Sequence, residues 1–312
     1  MISWTVYLLF IIGLIAVIKG ADWAVDSAVW LSKSFGIPEV IVGATIVSIG
    51  TTLPETMISA LGAYRGSSDV VVGTFLGSIL FNTGTILGIG CLIHPIKIRT
   101  KDSFLKIGSM IGVLILFGLL SVDGTIRGFD TFILLALLVC YLVMNIYVSN
   151  NNKNKDQKHT YDKKQLVHEI IQFVVGITAV VLGAKVLLDS GEQIAHAFGI
   201  SEAIIATTMY AAGSSLPELV TSLTAAYKGH SGLMLGNVVG ANTLNVILVA
   251  GVSSLISPLS IGSQILSAQI PTALLIMAVL FMPAFFNKKI TRIQGLLAFL
   301  IYLIFIINFA LA

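Results

Sequence analysis

Charge is what this sequence has least of. Asp, Glu, Lys and Arg make up 11% of 312 residues, where a soluble globule carries about a quarter to cover its surface. A large soluble domain is excluded on that ground. Cysteine is nearly absent. Cys91 and Cys140 stand far apart, each in or beside an apolar run, so they read as small core residues and exclude a disulfide framework. The five histidines show no ligand spacing and are assigned to loops and helix ends; nothing suits zinc or copper. The first apolar run lacks a basic n-region and a small-residue cleavage site, so it reads as a retained helix and not a signal peptide. The net charge of +3 resides in short loops between apolar runs, which argues against a nucleic-acid partner.

What is abundant is apolar surface. Hydrophobic residues are 56% of the chain and the mean hydropathy is +0.97, so the solvent for most of the surface is lipid. Apolar runs fall at 3–30, 37–63, 70–93, 104–121, 128–148, 167–189, 200–226, 231–256, 263–285 and 293–311. A helix needs roughly 20 such residues to cross a bilayer, and helices are the spanning form for runs this continuous. The fold class predicted is an all-α polytopic membrane protein with ten transmembrane helices. Residues 149–165, SNNNKNKDQKHTYDKKQ, hold five lysines and no aliphatic residue, so they read as a polar linker between residues 1–148 and 166–312. With that linker cytoplasmic, thirteen basic loop residues lie inside and two, Arg65 and Arg127, outside, while Lys19, Lys106 and Lys185 fall near span ends. Positive-inside topology then puts both termini outside.

The two halves repeat each other. GATIVSIGTTLPETMISALGAYRGSSDVVVGTFLGSILFN, from Gly43, aligns without a gap to ATTMYAAGSSLPELVTSLTAAYKGHSGLMLGNVVGANTLN, from Ala206. Gly50/Gly213, Leu53-Pro54-Glu55/Leu216-Pro217-Glu218, Gly73/Gly236, Gly77/Gly240 and Asn82/Asn245 match in one register, 163 residues apart (218 − 55). A repeat of five spans makes the second copy enter from the opposite side, so the halves are inverted five-helix repeats, the architecture of secondary transporters.

Chemistry concentrates in the repeated segment. Glu55 and Glu218 each lie within an apolar span that contains no Lys or Arg, where an ionised carboxylate costs several kcal/mol unless compensated. A bound cation is the obvious partner. Pro54 and Pro217 lack an N–H and clash with the carbonyls of Gly50 and Gly213, breaking the helix there; such backbone is tolerated in a membrane where it lines a cavity. Ser48, Thr51 and Thr52 in one half, and Ser214 and Ser215 in the other, surround the breaks. Carboxylates, hydroxyls and carbonyls form an all-oxygen set that suits Ca²⁺ or Na⁺. Asn82 and Asn245 add amides from the next span. Gly73/Gly77 and Gly236/Gly240 are four apart and let backbones approach closely. Asp26 and Asp189 are repeat-equivalent, and interface solvation or capping accounts for them. A membrane glutamate also serves as a packing hydrogen bond in some proteins; two in equivalent positions, each after a proline break, favour the site reading.

These motifs, GTTLPET and GSSLPEL, each followed by a Gly-rich span ending in Asn, resemble the alpha repeats of the cation/calcium exchanger superfamily, with the closest likeness to prokaryotic sodium/calcium exchangers. The resemblance implies a Ca²⁺ site shared by Glu55 and Glu218 and completed by backbone oxygens at Thr51 and Ser214. It further implies Na⁺ sites drawn from these groups and Thr52 with Ser48, Ser78, Asn82, Ala211, Ser215 and Asn245, and a first and sixth span that slide as a pair. Asn245 and Ala241 depart from archaeal relatives that carry Asp and Ser there; Asn245 argues against potassium dependence, and Ala241 removes a hydroxyl from the expected outer sodium site. The expected function is sodium/calcium antiport by alternating access, with Ca²⁺ and Na⁺ as cargo, no cofactor, and a monomer in a prokaryotic plasma membrane. A proton/calcium antiporter, with H⁺ in place of sodium, is the alternative, although the GNA-x-E pattern of those relatives is not matched. A passive cation channel comes next. An enzyme is not expected, since no nucleophile/base pair or His-rich metal set accompanies the glutamates.

Overall fold

The computed structural model describes residues 4–98, 101–151, 162–198 and 213–311. The described residues form helices and four two-residue strands, joined by short turns. In order, the elements are α1 (Trp4–Phe35), α2 (Glu39–Thr51), α3 (Leu53–Tyr64), α4 (Ser68–Ile93), β1 (Ile96–Lys97), α5 (Lys101–Leu120), β2 (Thr125–Ile126), α6 (Phe129–Asn151), α7 (Lys163–Ala197), α8 (Leu216–Tyr227), α9 (Ser231–Ile256), β3 (Leu259–Ser260), α10 (Ile265–Asn287), β4 (Lys289–Ile290) and α11 (Arg292–Leu311). Among the described residues, eight helices are long and apolar enough to cross a membrane, and α2 and α3 form a ninth span bent by 46°. The run expected at 200–226 is described only from residue 213 onward, and most of the linker lies outside the described residues.

Each expected span that is described appears as a helix, and α1 and α7 exceed expectation. At 1.5 Å per residue, the 32 residues of α1 reach about 48 Å, well beyond a hydrocarbon core, so α1 must tilt or project from it. Asp22, Asp26 and Lys33 interrupt the apolar pattern in the C-terminal half of α1. Asp26 neither caps nor merely meets solvent. Lys228, which follows α8, places Nζ 2.8 Å from Asp26 Oδ1 and 3.2 Å from Asp22 Oδ1. Partial burial lowers the pKa of the Lys228 ammonium, but its hydrogen bonds to Asp26 and Asp22 outweigh that and hold it above the ordinary lysine value.

Lipid-facing surface and core separate by helix. Leu119, Met282, Phe286 and Ile304 are exposed, and the repeat-equivalent Tyr64 and Tyr227, at 82% and 84%, are exposed at the ends of α3 and α8, where amphipathic rings suit the bilayer interface. The innermost helices are α4 and α9. In each, 78% of the most apolar window is buried, against 33% in α1 and α7. They carry Asn82 and Asn245, and each winds more loosely at that residue, over Asn82–Leu87 and Asn245–Ala250. Such single π turns recur at functional sites. A third spans Gly43–Val47 in α2. Periodicity at 3.6 residues does not foretell them.

Glycine sets how closely two pairs of helices pack. A Cβ on Gly20 of α1 would lie 2.6 Å from the Gly176 carbonyl oxygen of α7, and one on Gly176 would lie 2.7 Å from that of Gly20. Gly13 and Gly183 meet in the same way, with Gly183 against Ala16 and Val17. Gly13/Gly176 and Gly20/Gly183 are repeat-equivalent, so the seam is crossed and symmetric. The expected close approach at Gly236 and Gly240 is present: α9 lies there against Val40, Ala44 and Ser48 of α2. For Gly73 and Gly77 the corresponding partner, residues 203–211, lies outside the described residues.

The strands pair across the halves, β1 with β4 and β2 with β3, both antiparallel. Cys91 is buried and Cys140 exposed, and both are free thiols. Gly20→Val and Gly176→Val should each force the α1–α7 seam apart and cost about 1–3 kcal/mol, the usual range for overpacking. Thermal unfolding of the purified protein in detergent measures this, with Gly108→Val, on the exposed face of α5, expected to stay near the parent midpoint.

Candidate cation site

The break in the second span has a covalent cause. Pro54 has no N–H to offer the carbonyl of Gly50, and α2 closes with Thr52 N bonded to Ser48 O at 2.9 Å. The chain turns at Thr52 and restarts as α3, with Pro54 in the first turn, where a missing donor costs nothing. Pro217 occupies the same place in α8. Glu55 and Glu218 therefore both fall in the first turn of a helix whose N-terminus lies inside the protein, and the positive end of the helix dipole stabilises each carboxylate.

Both glutamates are buried, at 0% and 1% exposure. Hydroxyls reach them from the opposite half. Thr52 Oγ1 donates to Glu218 Oε1 at 3.3 Å, and Ser215 Oγ donates to Glu55 Oε1 at 3.4 Å. Thr52 and Ser215 are repeat-equivalent, so the two contacts are one contact crossed. Ser78 of α4 also donates to Glu55 Oε1, at 3.4 Å, accepts from Ser215 at 2.8 Å and lies 3.4 Å from Ser214 Oγ. The counterpart of Ser78 is the buried Ala241, which has no hydroxyl to give Glu218. The second oxygen of each carboxylate, Oε2, has no hydrogen-bond partner among the described residues. Neither glutamate pairs with Lys or Arg there.

Of the residues singled out from sequence, Glu55, Ser78, Ser214 and Ser215 form one connected set, and Glu218 is joined to Thr52. Thr51 is buried and donates to Asn237 Oδ1 at 3.4 Å. Ser48 is buried but turns back to the carbonyl of Thr45, at 3.2 Å. Asn82 lies one turn beyond Ser78 on the same face of α4, and its Nδ2 donates to Asn242 Oδ1 at 3.0 Å. Asn245 is buried with both polar side-chain atoms unpartnered among the described residues. Ala211 lies outside the described residues.

Two amides escaped sequence reasoning. Asn237 donates to Thr221 Oγ1 at 3.1 Å and Ser222 Oγ at 3.0 Å while accepting from Thr51, so it ties α8 and α9 to the broken helix of the other half. Asn242 holds Asn82. The available signal was the cost of burying an unpaired amide in an apolar span; neither position has an amide counterpart for the repeat to flag, since Asn237 matches Thr74, whose hydroxyl bonds back to Val70 O, and Asn242 matches Ile79. Lys106 was expected near a span end. It is the sixth residue of α5 and is also buried, 1% exposed, with its ammonium 4.8 Å from the centre of the Tyr141 ring, a cation–π placement that offsets part of its desolvation. The Tyr141 hydroxyl donates to Ala44 O at 2.8 Å, inside the π turn of α2.

Chemically the site offers oxygen alone. No group of three or more His, Cys, Asp or Glu placed to hold a metal ion exists among the described residues, which leaves two carboxylates contacted by the hydroxyls of Thr52, Ser78 and Ser215. Hard cations bind such sets, and borderline or soft metals do not prefer them.

Comparison with known proteins gives the same direction. The sodium/calcium exchanger protein family profile matches twice, over residues 5–147 and 168–311, once in each half. An uncharacterised membrane protein of Methanocaldococcus jannaschii is 31% identical over 95% of this chain and 95% of its own length. The sodium/calcium exchanger MaX1 of Methanosarcina acetivorans is 28% identical over 96% of this chain and 97% of its own. Among solved structures, the sodium-calcium exchanger NCX_Mj soaked with Na⁺ and Sr²⁺ superposes with a TM-score of 0.86 at 30% identity, covering 97% of this chain and 98% of that one. A family match over both halves and likeness along the whole length place this chain in the sodium/calcium exchanger family of membrane exchangers.

Proposed function

We propose that the protein is a sodium/calcium antiporter that works by alternating access, with Ca²⁺ and Na⁺ competing for the buried carboxylates Glu55 and Glu218. The observation that carries this is the crossed pair of contacts, Thr52 to Glu218 and Ser215 to Glu55, with the second oxygen of each carboxylate unpartnered. Two carboxylates balance one Ca²⁺. Hydroxyls of Ser78, Thr51, Thr52, Ser214 and Ser215, backbone oxygens at Thr51, Ser214 and Ala211, Ser48, and the amides Asn82 and Asn245 complete the sodium and calcium ligand sets in this reading.

The proposed architecture is ten spans in two inverted five-helix repeats. The strand pairing supports it. One helix, α5, separates β1 from β2, so they lie on opposite faces of the membrane. The repeat counterpart of β1 is β3, and β3 pairs with β2, on the face opposite β1. Equivalent segments on opposite faces are what inversion requires. In the proposed topology the β1–β4 face, with Lys97, Lys288 and Lys289, is cytoplasmic, as is the linker, and the termini are outside. The glycine seam makes α1 and α7 a unit able to shift against α3 and α8. A carrier with neither cargo would bury two like charges, a penalty of several kcal/mol that discourages empty crossing and couples the two fluxes.

Vesicles loaded with sodium and diluted into sodium-free buffer should take up ⁴⁵Ca²⁺, with a saturating rate that vanishes when potassium replaces internal sodium. Uptake driven by a proton gradient without sodium would make the protein a proton/calcium antiporter, and uptake needing no counter-ion would make it a channel. Glu55→Gln and Glu218→Gln should each abolish exchange and weaken calcium binding on the order of a hundredfold or more, since each leaves the divalent ion with one balancing charge in a buried site. Exchange preserved in either variant would overturn the assignment.

A further inference from the structure

Three side chains in a row decide which way one ligand amide points. Met110 of α5 lies one end of the row, where its Sδ accepts from Asn242 Nδ2 at 3.6 Å. Asn242 Oδ1 in turn accepts from Asn82 Nδ2 at 3.0 Å. The far end is Asn82 Oδ1, buried and without a hydrogen-bond partner among the described residues. An amide has nearly the same shape either way round, so packing alone does not orient it. A thioether does, because it has lone pairs and no proton to give. Met110 therefore takes the NH₂ of Asn242, which turns the Asn242 carbonyl to Asn82. That carbonyl takes the NH₂ of Asn82 and leaves the Asn82 oxygen aimed away. The reverse order would set the Asn242 oxygen against the Met110 sulfur, lone pair to lone pair.

The second half has no such row. The counterparts of Asn242 and Met110 are Ile79 (242 − 163) and Ala273 (110 + 163), and neither offers a hydrogen bond. Asn245, the counterpart of Asn82, accordingly has both its amide atoms unpartnered among the described residues.

We propose that Met110 and Asn242 are positioning residues that lock Asn82 with its carbonyl oxygen towards the cation, while Asn245 keeps an amide that either ion can turn. The proposal rests on the reading of the site as a cation carrier. Its energetic sense comes from the neighbours. One turn away on α4, Ser78 is bonded to Glu55 and Ser215, so the site is rich in acceptors. A free amide there would swing its NH₂ towards those acceptors, and an arriving cation would have to break that bond. The row removes the competing orientation before the ion arrives.

The test reads calcium binding without transport, from the calcium-dependent rise in the thermal unfolding midpoint of the purified protein in detergent. Asn242→Leu should weaken calcium binding about fivefold, the worth of one competing neutral hydrogen bond. Met110→Leu, which keeps the volume and removes the acceptor, should move it in the same direction by less and preserve the calcium-free midpoint. In an Asn82→Ala background neither substitution should change calcium affinity further, because there is no amide left to orient. In vesicles the two variants should raise the calcium concentration for half-maximal uptake and leave the maximal rate unchanged. Equal weakening in the presence and absence of Asn82 would overturn the proposal, as would parental affinity in Met110→Leu and Asn242→Leu or in Asn82→Ala. A protein that shows the expected cycle in binding but no sodium-driven flux would refute the antiport reading and leave the orienting role standing.

Discussion

Two carboxylates buried in an apolar medium, with no cationic side chain among the described residues paired to either, are the constraint around which this molecule is arranged. A soluble protein would hydrate such groups; here lipid surrounds the helices and protein surrounds the glutamates. What compensates them is assembled from small parts. Proline breaks at Pro54 and Pro217 start new helices inside the membrane and turn their positive ends towards Glu55 and Glu218. Thr52 and Ser215 reach across the halves to supply hydroxyl donors. The unpartnered oxygens that remain are suited to a mobile cation and poorly suited to permanent solvation.

Duplication explains why the parts come in pairs, and the places where the pairs differ carry the specificity. Ser78 donates to Glu55, whereas its counterpart Ala241 has no hydroxyl. Asn82 is held by Asn242, whereas the repeat equivalent of Asn242 is Ile79, which has no hydrogen bond to offer Asn245. Lys228 binds Asp22 and Asp26 of α1; the repeat equivalents are Arg65 in the first half and Lys185 and Asp189 in the second, so the first carboxylate has become a lysine. An exact repeat would give two equal half-sites and two equal end states. These substitutions make the half-sites unequal: among the described residues the Asn82 amide is held by a neighbour and the Asn245 amide is not.

Much of this was legible in the sequence because the governing signals are local and strong. A bilayer imposes a length on every span, so the described helices fall where the apolar runs do, and proline breaks a helix whatever packs around it. The repeat register located both glutamates and most of the hydroxyl residues that surround them. Less legible were features set by partners distant in sequence. That Asp22 and Asp26 of α1 pair with Lys228 depends on a residue about 200 positions away. The burial of Lys106 beneath the Tyr141 ring likewise depends on a partner on another helix.

The sequence by itself determined the all-helical membrane class, the duplication, the proline breaks and the acidic pair, because each follows from composition, covalent geometry or register. Tertiary structure alone decided which half supplies the hydroxyls for which glutamate, since Thr52 and Glu218 are brought together only by packing. It alone placed the loosened turns at Asn82 and Asn245, which the 3.6-residue periodicity of the apolar runs does not mark. It alone gave Asn82 an orientation, because a thioether and two amides from three separate helices must meet before any one of them has a preferred face.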